Sequence, residues 1–462
     1  MAILGLISSE SFSTQRFKNV RRSVFYFYPN GAAPLMGLLS LMKEEVTNDP
    51  EFHWYEKRLQ PQRTTTAAIT GNVQMYSTVS ADFGTWTTAA ANFSVVVGSQ
   101  YGIKVNSSVN GGTSNFRVGH VIKYNVIDST LGQVGLIGRV TNVDAANNRL
   151  AFVAVQISTN ALTYNSASAT GLEILIVGSA FSEGNIGSSY NPYNLPIEIY
   201  NYTQIFRTAF QITGTALKTS AKYDETGPYK DQAKEASVNH MIEMEKGFIF
   251  GQSLTSSAGG TITRYTGGVM WFLQQYQAQY SQYRGGDGST TGPAAVTLDT
   301  DDDCRIITNS NNYLTEKLYD GYLERVFRVT NNKSNEKLVL CGSGFLNVVN
   351  QLYKSRAVLN GDLPITETYG MNVVAHQTPF GKIYYKSHPL FSQNPILRYN
   401  ALFLDVLNLR YRYMNGRDTE LLTQRQPNNA DYREDEWLSE SGLELEFPES
   451  NMYLQNVLDY RA

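Results

Sequence analysis

Apolar positions along the chain change their spacing several times, and each change marks an expected element. Residues 1–30 follow neither a helical nor an alternating period; Arg16, Lys18, Arg21 and Arg22 precede the aromatic run Phe25, Tyr26, Phe27 and Tyr28, the pattern of an extended arm. A helix follows, opened by Pro34 in its first turn, with Leu35, Leu38, Leu39 and Met42 on one face and Glu44-Glu45 at its end. Asn48-Asp49-Pro50 stops it. From 52 to 187, short β-type runs rich in Thr, Val, Asn, Ser and Gly are separated by turn residues. The clearest runs, 117–124, 134–143 and 150–155, predict a meander that closes into a small barrel or sandwich.

Between 195 and 226 the alternation returns, with Phe206, Phe210 and Ile212 on one side and Arg207, Gln211 and Thr213 on the other, as in a half-exposed ribbon strand. Past Gly227-Pro228 the period turns helical. Val238, Met241, Ile242, Glu245, Phe248 and Ile249 share the predicted face, and Gly251 lies at the end. About 22 residues at roughly 1.5 Å each give a helix of roughly 33 Å. The Gly/Ser/Thr-rich stretches 253–268 and 285–289 predict exposed loops. Leu314, Leu318, Tyr322 and Val326 mark a helix, 337–341 a buried strand, and Phe345, Val348, Val349 and Leu352 a second helix, together a compact α/β layer. A hairpin joins 371–375 to 383–386 through Pro379-Phe380-Gly381, and 402–414 and 443–458 supply further strands on either side of the polar stretch 425–436. No internal repeat or heptad pattern occurs.

Composition narrows the function classes. With 462 residues and 42% hydrophobic content the chain can bury a large core and form roughly two to four domains. Charged residues are only 17%, below the roughly one quarter usual in globular proteins, while 30 Tyr and 21 Phe are abundant. Subunit interfaces carry that bias. A net charge of −3 provides no global basic field for coating a nucleic acid. Cys304 and Cys341 lack CxxC spacing, which points to a reducing compartment and no zinc. Met1 to Ile7 is apolar but short and without a basic lead, so no secretory signal is expected, and no apolar run approaches the ~20 residues of a membrane span.

No catalytic constellation emerges, and no cofactor or metal is expected. His53, His120, His240, His376 and His388 are scattered, without HxH or HExxH. Gly342-Ser343-Gly344 lacks the rest of a phosphate-binding loop and is taken as a tight strand-to-helix turn. Asp301-Asp302-Asp303 and Glu434-Asp435-Glu436 are taken as solvated faces rather than acid/base pairs. The sequons at Asn92, Asn106, Asn201 and Asn332 are taken as unmodified surface or strand asparagines.

The order of arm, β region with ribbon, long helix, α/β layer and returning strands resembles the Hong Kong 97-type major capsid proteins of tailed bacteriophages, crass-like or related podophage shells among them. Local phrases add to the likeness: Ala33-Pro34-Leu35 followed by Asp49-Pro50-Glu51-Phe52-His53-Trp54, then Asn201 to Phe206, then Thr378-Pro379-Phe380-Gly381-Lys382-Ile383 and Gly442 to Glu446. What the resemblance implies is an α+β subunit with an N-terminal arm and short helix at 1–52 and an extended loop at 53–228 carrying an added β domain at about 88–183. A P-domain spine helix at 229–252, an A domain at 253–370 and returning strands at 371–462 complete it. It implies no enzyme, but self-assembly into hexamers and pentamers of an icosahedral virion capsid around double-stranded DNA. Scaffolding, portal, and minor or decoration proteins would be its other partners, and synthesis would take place in the bacterial host cytoplasm. Inter-subunit contact candidates are Arg16, Lys18, Arg21, Arg22, Phe206, Arg207, Phe210, Lys218 and Lys222. The two lysines are suggestive because some such subunits crosslink through a lysine there. Deleting 205–226 is expected to leave a folded subunit that cannot close a shell. The competing expectation is a phage tail or adhesin protein with a glycan-binding β domain.

Overall fold

The strand Glu336–Cys341 is apolar on both faces from Leu338 onward, and the principal layer is built around it. A computed structural model describes residues 35, 44–57, 63–69, 75–80, 82–88, 92–106, 112–128, 131–157, 162–164, 172–183, 195–219, 228–257, 260–280, 305–309, 313–328, 335–354, 365–368 and 371–460. Val339 and Cys341 point into a cluster with the helices Glu316–Arg328 and Ser343–Lys354. Leu338 and Leu340 point the other way, into a cluster with the helices Pro228–Phe250 and Val269–Tyr280. A strand covered on both faces needs such an unbroken apolar run. It sits inside a seven-stranded mixed sheet, parallel to Lys382–Ser387 and antiparallel to Ala401–Leu404. Immediately after it, a Cβ on Gly342 would lie 2.1 Å from the Arg398 carbonyl oxygen, so only glycine fits the expected turn into the next helix.

A second sheet is organised by the long strand Tyr432–Leu445. It pairs antiparallel with Gln204–Thr213, Leu409–Met414 and Glu420–Leu422. Glu44–Thr47 then adds in parallel to Leu409–Met414, so Glu44 and Glu45 form an edge strand, not the expected helix end. The cause is electrostatic: Glu45 lies 2.9 Å from Arg410 and 2.5 Å from Arg412. The polar stretch 425–436 is likewise no mere connection, since the strand already begins at Tyr432.

The long helix Pro228–Phe250 packs across Gln204–Thr213 and Tyr432–Leu445. Its buried face runs through Ala236, His240, Met244 and Phe248, with Glu245 and Ile249 beside it. Of the predicted face, Met241 is instead 45% exposed. Apolar side chains occur nearly all round this helix, and His240 is admitted because hydroxyls of Thr208 and Ser439 meet its two ring nitrogens at 3.0 and 2.7 Å.

Two strands, Glu51–Glu56 and Ile197–Tyr202, pair into an antiparallel ribbon from which the chain departs and to which it returns. The intervening residues form a ten-stranded sheet spanning Arg63–Thr65 to Glu173–Ser179, with a core of its own around Ile122, Tyr124, Leu136, Phe152 and Ile174. It begins upstream of 88 because Arg63–Thr65 and Met75–Val79 pair into it. The expected loop at 253–268 is a hairpin, Leu254–Ser256 with Thr263–Tyr265, followed by a fully buried Thr266. The helix Val269–Tyr280 went unread because its start lies in a Gly-Gly pair and its later turns are rich in Gln. The expected arm at 1–30, the loop at 285–289 and Asp301-Asp302-Asp303 lie outside the described residues. Among the described residues no helix is long and apolar enough to cross a membrane.

Candidate assembly surfaces

The ribbon has two chemically opposite faces because strand residues alternate and cross-strand partners share a side. One face carries Phe52, Trp54 and Asn201 into the core; Trp54 lies 5.7 Å, ring to ring, from Phe272 and donates to Glu56 at 3.2 Å. The other face points outward and carries Glu51, His53, Tyr55, Glu198 and Tyr200. There the His53 ring stands between two carboxylates, 2.9 Å from Glu198 and 3.3 Å from Glu51, and contacts the Tyr200 ring at 5.9 Å. Tyr55, 67% exposed, donates to Glu198 at 3.2 Å, and the negative charge of Glu198 holds the phenol above its ordinary pKa.

Asn201, expected as a surface or strand asparagine, is a strand residue and is fully buried. Its amide nitrogen donates to Leu443 O at 2.7 Å, Gly267 O at 3.0 Å and Thr266 Oγ1 at 3.2 Å. Its side-chain oxygen accepts from the amides of Gly267 at 2.7 Å and Tyr202 at 2.9 Å. One side chain thereby ties the ribbon to the hairpin's exit and to the long strand. The signal for it was present: Asn201 alternates in phase with Ile197 and Ile199.

On the five-stranded sheet, every second residue of Tyr432–Leu445 faces away from the long helix, and most of these are acids. Glu436, Glu440 and Glu444 recur along this face, and arginines from neighbouring segments close over them. Arg207 lies 2.6 Å from Glu436, Arg417 2.5 Å from Glu440, and Arg412 2.5 Å from Glu444. The solvated face expected for Glu434-Asp435-Glu436 is thus corrected: Asp435 and Glu436 are buried. Asp435 points to the helix side, where burial alone would raise its pKa. The Tyr229 hydroxyl, the Gln424 amide and Arg433 outweigh that and hold it low. The Arg207 hydrogen bond lowers Glu436. Burial instead raises Glu444, against the pull of Arg412.

Arg207 is the one expected contact residue that the described surface presents with a defined partner; its side chain is 59% exposed over a Glu436 that is 3% exposed. Arg207→Ala is expected to destabilise the subunit by about 1 kcal/mol at neutral pH, most of the attraction at the exposed guanidinium being screened by water. Because the folded state holds the Glu436 pKa below its unfolded value, this contribution is complete above the unfolded value, near 4.5, and disappears as pH falls through the folded one. Urea unfolding of wild type and variant should therefore converge as the pH falls through the folded-state pKa of Glu436; a gap that is constant with pH would show that the pair is not responsible.

The other expected contact residues divide. Phe206 and Phe210 are buried under the long helix, with ring contacts to Phe248 at 6.1 Å and Tyr229 at 5.8 Å. They serve this subunit's own core. Lys218 is exposed in the last turn of the short helix Gly214–Lys218, capped by the Thr213 hydroxyl. Arg16, Lys18, Arg21, Arg22 and Lys222 lie outside the described residues. Deleting 205–226 would remove Phe206, Phe210 and Ile212 from the core, so the expectation of a folded subunit fails on packing grounds. Among the described residues no group of three or more His, Cys, Asp or Glu is arranged to hold a metal. Burial pushes the Cys341 thiol up to about 12, which makes it inert.

Comparison with known proteins bears on what these surfaces serve. The sequence profile of the SU10 major capsid proteins matches residues 7–458. A curated major capsid protein of Pseudomonas phage PaMx41 is 24% identical over 258 residues, 55% of this chain and 54% of the relative, so the match spans about half the relative's length. Among solved structures, the capsid asymmetric unit of cyanophage A-1(L) aligns at 12% identity and a TM-score of 0.39, covering 62% of this chain and 85% of that one. A Mycobacterium phage Cain structure aligns at 8% identity and a TM-score of 0.38, covering 96% and 92%.

Proposed function

The chain belongs to the SU10 major capsid protein family, and from that premise we propose that many copies of it close into the icosahedral shell around the double-stranded DNA of a tailed phage. The family match over residues 7–458 carries this reading. The architecture supports it: an α+β subunit with a two-stranded ribbon that leads into a separate β domain, a long helix laid across a sheet, and an α/β layer has the parts that a tiling subunit needs. On this reading 1–52 is the arm, 53–228 the extended loop with its β domain, apart from the strand Gln204–Thr213, which pairs into the sheet beneath the long helix, 229–252 the spine, 253–370 the A domain and 371–462 the returning strands.

Function here is binding to copies of the same chain. Ribbon faces and sheet edges on one subunit leave polar and apolar groups to be satisfied by others, and closed symmetry multiplies modest contacts into a stable container. The partners are hexamers and pentamers of this chain, a scaffolding protein, the portal, minor or decoration proteins, and packaged DNA on the inner face. Its place is the virion, after synthesis in the host cytoplasm. The family is a structural one, and we assign the chain no catalytic step. A tail or adhesin role is not favoured by a match to capsid proteins.

Expression with and without a scaffolding partner, followed by negative-stain microscopy of the high-mass fraction, tests the reading. Closed shells or rings of five and six subunits are expected. A stable monomer or a discrete trimer would overturn it.

A further inference from the structure

We propose that Glu56 is a latch through which the position of the ribbon is transmitted to the seven-stranded sheet. Its part in assembly rests on the shell-forming reading above; the coupling within one subunit does not.

Glu56 ends the ribbon strand Glu51–Glu56 and is 2% exposed. One of its carboxylate oxygens accepts from the Trp54 indole at 3.2 Å, inside the ribbon, and from the Phe447 amide at 2.8 Å, outside it. Phe447 stands where the chain crosses from one sheet to the other. The long strand Tyr432–Leu445 ends just before it, and Met452–Gln455 of the seven-stranded sheet begins just after. The backbone at this crossing is strained: Phe447 has φ 49° and ψ 69°, the left-handed region that a bulky side chain rarely adopts, and Pro448 favours an extended residue before it. Such a conformation persists only where its surroundings hold it. The Glu56 carboxylate is one of those holds, and it belongs to the ribbon.

Beyond the turn, a run of buried polar contacts leads into the sheet. The short helical turn Pro448–Ser450 is buried, and the Ser450 carbonyl accepts from Lys337 Nζ at 3.0 Å. Lys337, on the central strand, is wholly buried and also donates to Asp405 at 3.0 Å. The Asp405 amide donates to Asn451 Oδ1 at 2.7 Å, and Asn408 Nδ2 donates to Ser450 Oγ at 2.9 Å. A buried ammonium depends on its acceptors, so movement of Ser450 disturbs Lys337 and Asp405 together. When a neighbouring subunit draws on the ribbon, Glu56 leaves the Phe447 amide, Phe447 relaxes toward an extended conformation, and the acceptors of Lys337 move with it. A residue with two backbone wells, biased by the ribbon on one side and the sheet on the other, is the kind of element that carries coupling between distant surfaces.

Amide hydrogen exchange on the unassembled full chain tests the coupling. Glu56→Asp keeps the charge but withdraws the carboxylate by one methylene. It is expected to speed exchange at the Asp405, Ser450 and Asn451 amides by roughly tenfold or more, with the paired strands Gln204–Thr213 and Tyr432–Leu445 unaffected. Glu56→Gln keeps the reach and an accepting oxygen, and should stay within roughly threefold of wild type. Two truncations of the same ring give the deciding comparison. In Phe447→Ala the left-handed cost remains, and the effect of Glu56→Asp should persist; in Phe447→Gly, which adopts that conformation freely, it should fall below roughly threefold. Equal effects in the two backgrounds, no response to Glu56→Asp, or acceleration spread over the whole subunit would each overturn the proposal. In assembly, Glu56→Asp is expected to lower the yield of shells by roughly tenfold, and Glu56→Gln to recover it to within roughly threefold of wild type. Normal shells from Glu56→Asp would overturn the latch's part in assembly and leave the capsid reading standing. A chain that never assembles would defeat the capsid reading, and exchange in the free subunit would still decide the coupling.

Discussion

Replacing Asn201 by alanine is expected to destabilise the subunit by about 4 kcal/mol, close to the limit of what a single substitution does. The side chain is fully buried; its two amide hydrogens are shared among three acceptors within 3.2 Å, and its oxygen accepts from two backbone amides. Alanine would strand the Gly267 amide and the Leu443 and Gly267 carbonyls away from water, and each orphaned group costs about 1–3 kcal/mol. Aspartate would not rescue it, because a carboxylate cannot donate to either carbonyl. Urea unfolding of the unassembled subunit gives the measurement. Alanine at Asn92, an exposed residue in another Asn-x-Ser/Thr sequon, should shift stability by less than about 0.5 kcal/mol. If the two substitutions behaved alike, the hub role of Asn201 would be wrong.

A comparable loss is expected at Glu245. Its carboxylate oxygen accepts from His388 Nε2 at 2.7 Å and from the Leu35 amide at 2.9 Å, and both side chains of the pair are completely buried. His388 Nδ1 in turn accepts from the Leu390 amide at 3.2 Å, capping the short helix Pro389–Gln393. Glu245→Ala leaves an imidazole and a backbone amide unpaired in the core, at about 3–5 kcal/mol. Glu245→Gln keeps an oxygen that accepts from one or both donors and should cost clearly less. Chemical denaturation of both variants decides the matter: equal losses would mean that side-chain volume, not the hydrogen bonds, is what the site requires. Leu35 reports separately, since loss of its anchor should raise amide exchange there before the rest of the core is affected.

The elements whose pattern is local were legible in the sequence. Phe206, Phe210 and Ile212 alternate with Arg207 and Gln211 as the strand Gln204–Thr213 does, and the buried strand at 337–341 and the hairpin through Pro379-Phe380-Gly381 stand where the apolar runs placed them. What failed was whatever depends on distant partners. Glu436 looked solvated because its cover, Arg207, is 229 positions away. Asn201 was legible as a strand asparagine but not as a buried hub, because its partner Leu443 lies 242 positions away. On the long helix Glu245, Phe248 and Ile249 of the predicted face are buried, but Met241 is exposed although it is as apolar as the side chains that are buried, and only the sheet beneath decides between them. The outward ribbon face was missed for a different reason: in Glu51–Glu56 the alternation was visible, but its pairing with Glu198 and Tyr200 emerges only from the register.

The five-stranded sheet has a consequence for the order of events during synthesis. Its organising strand, Tyr432–Leu445, is translated after each of its three partners, Gln204–Thr213, Leu409–Met414 and Glu420–Leu422, and after Glu44–Thr47 beyond them. The ten-stranded sheet, by contrast, is complete once residue 179 has emerged, and it can collapse on its own core while the ribosome is still at work. The sheet beneath the long helix has no such option. A nascent chain therefore carries a finished β domain but an open framework, with the ladder of paired charges unmade.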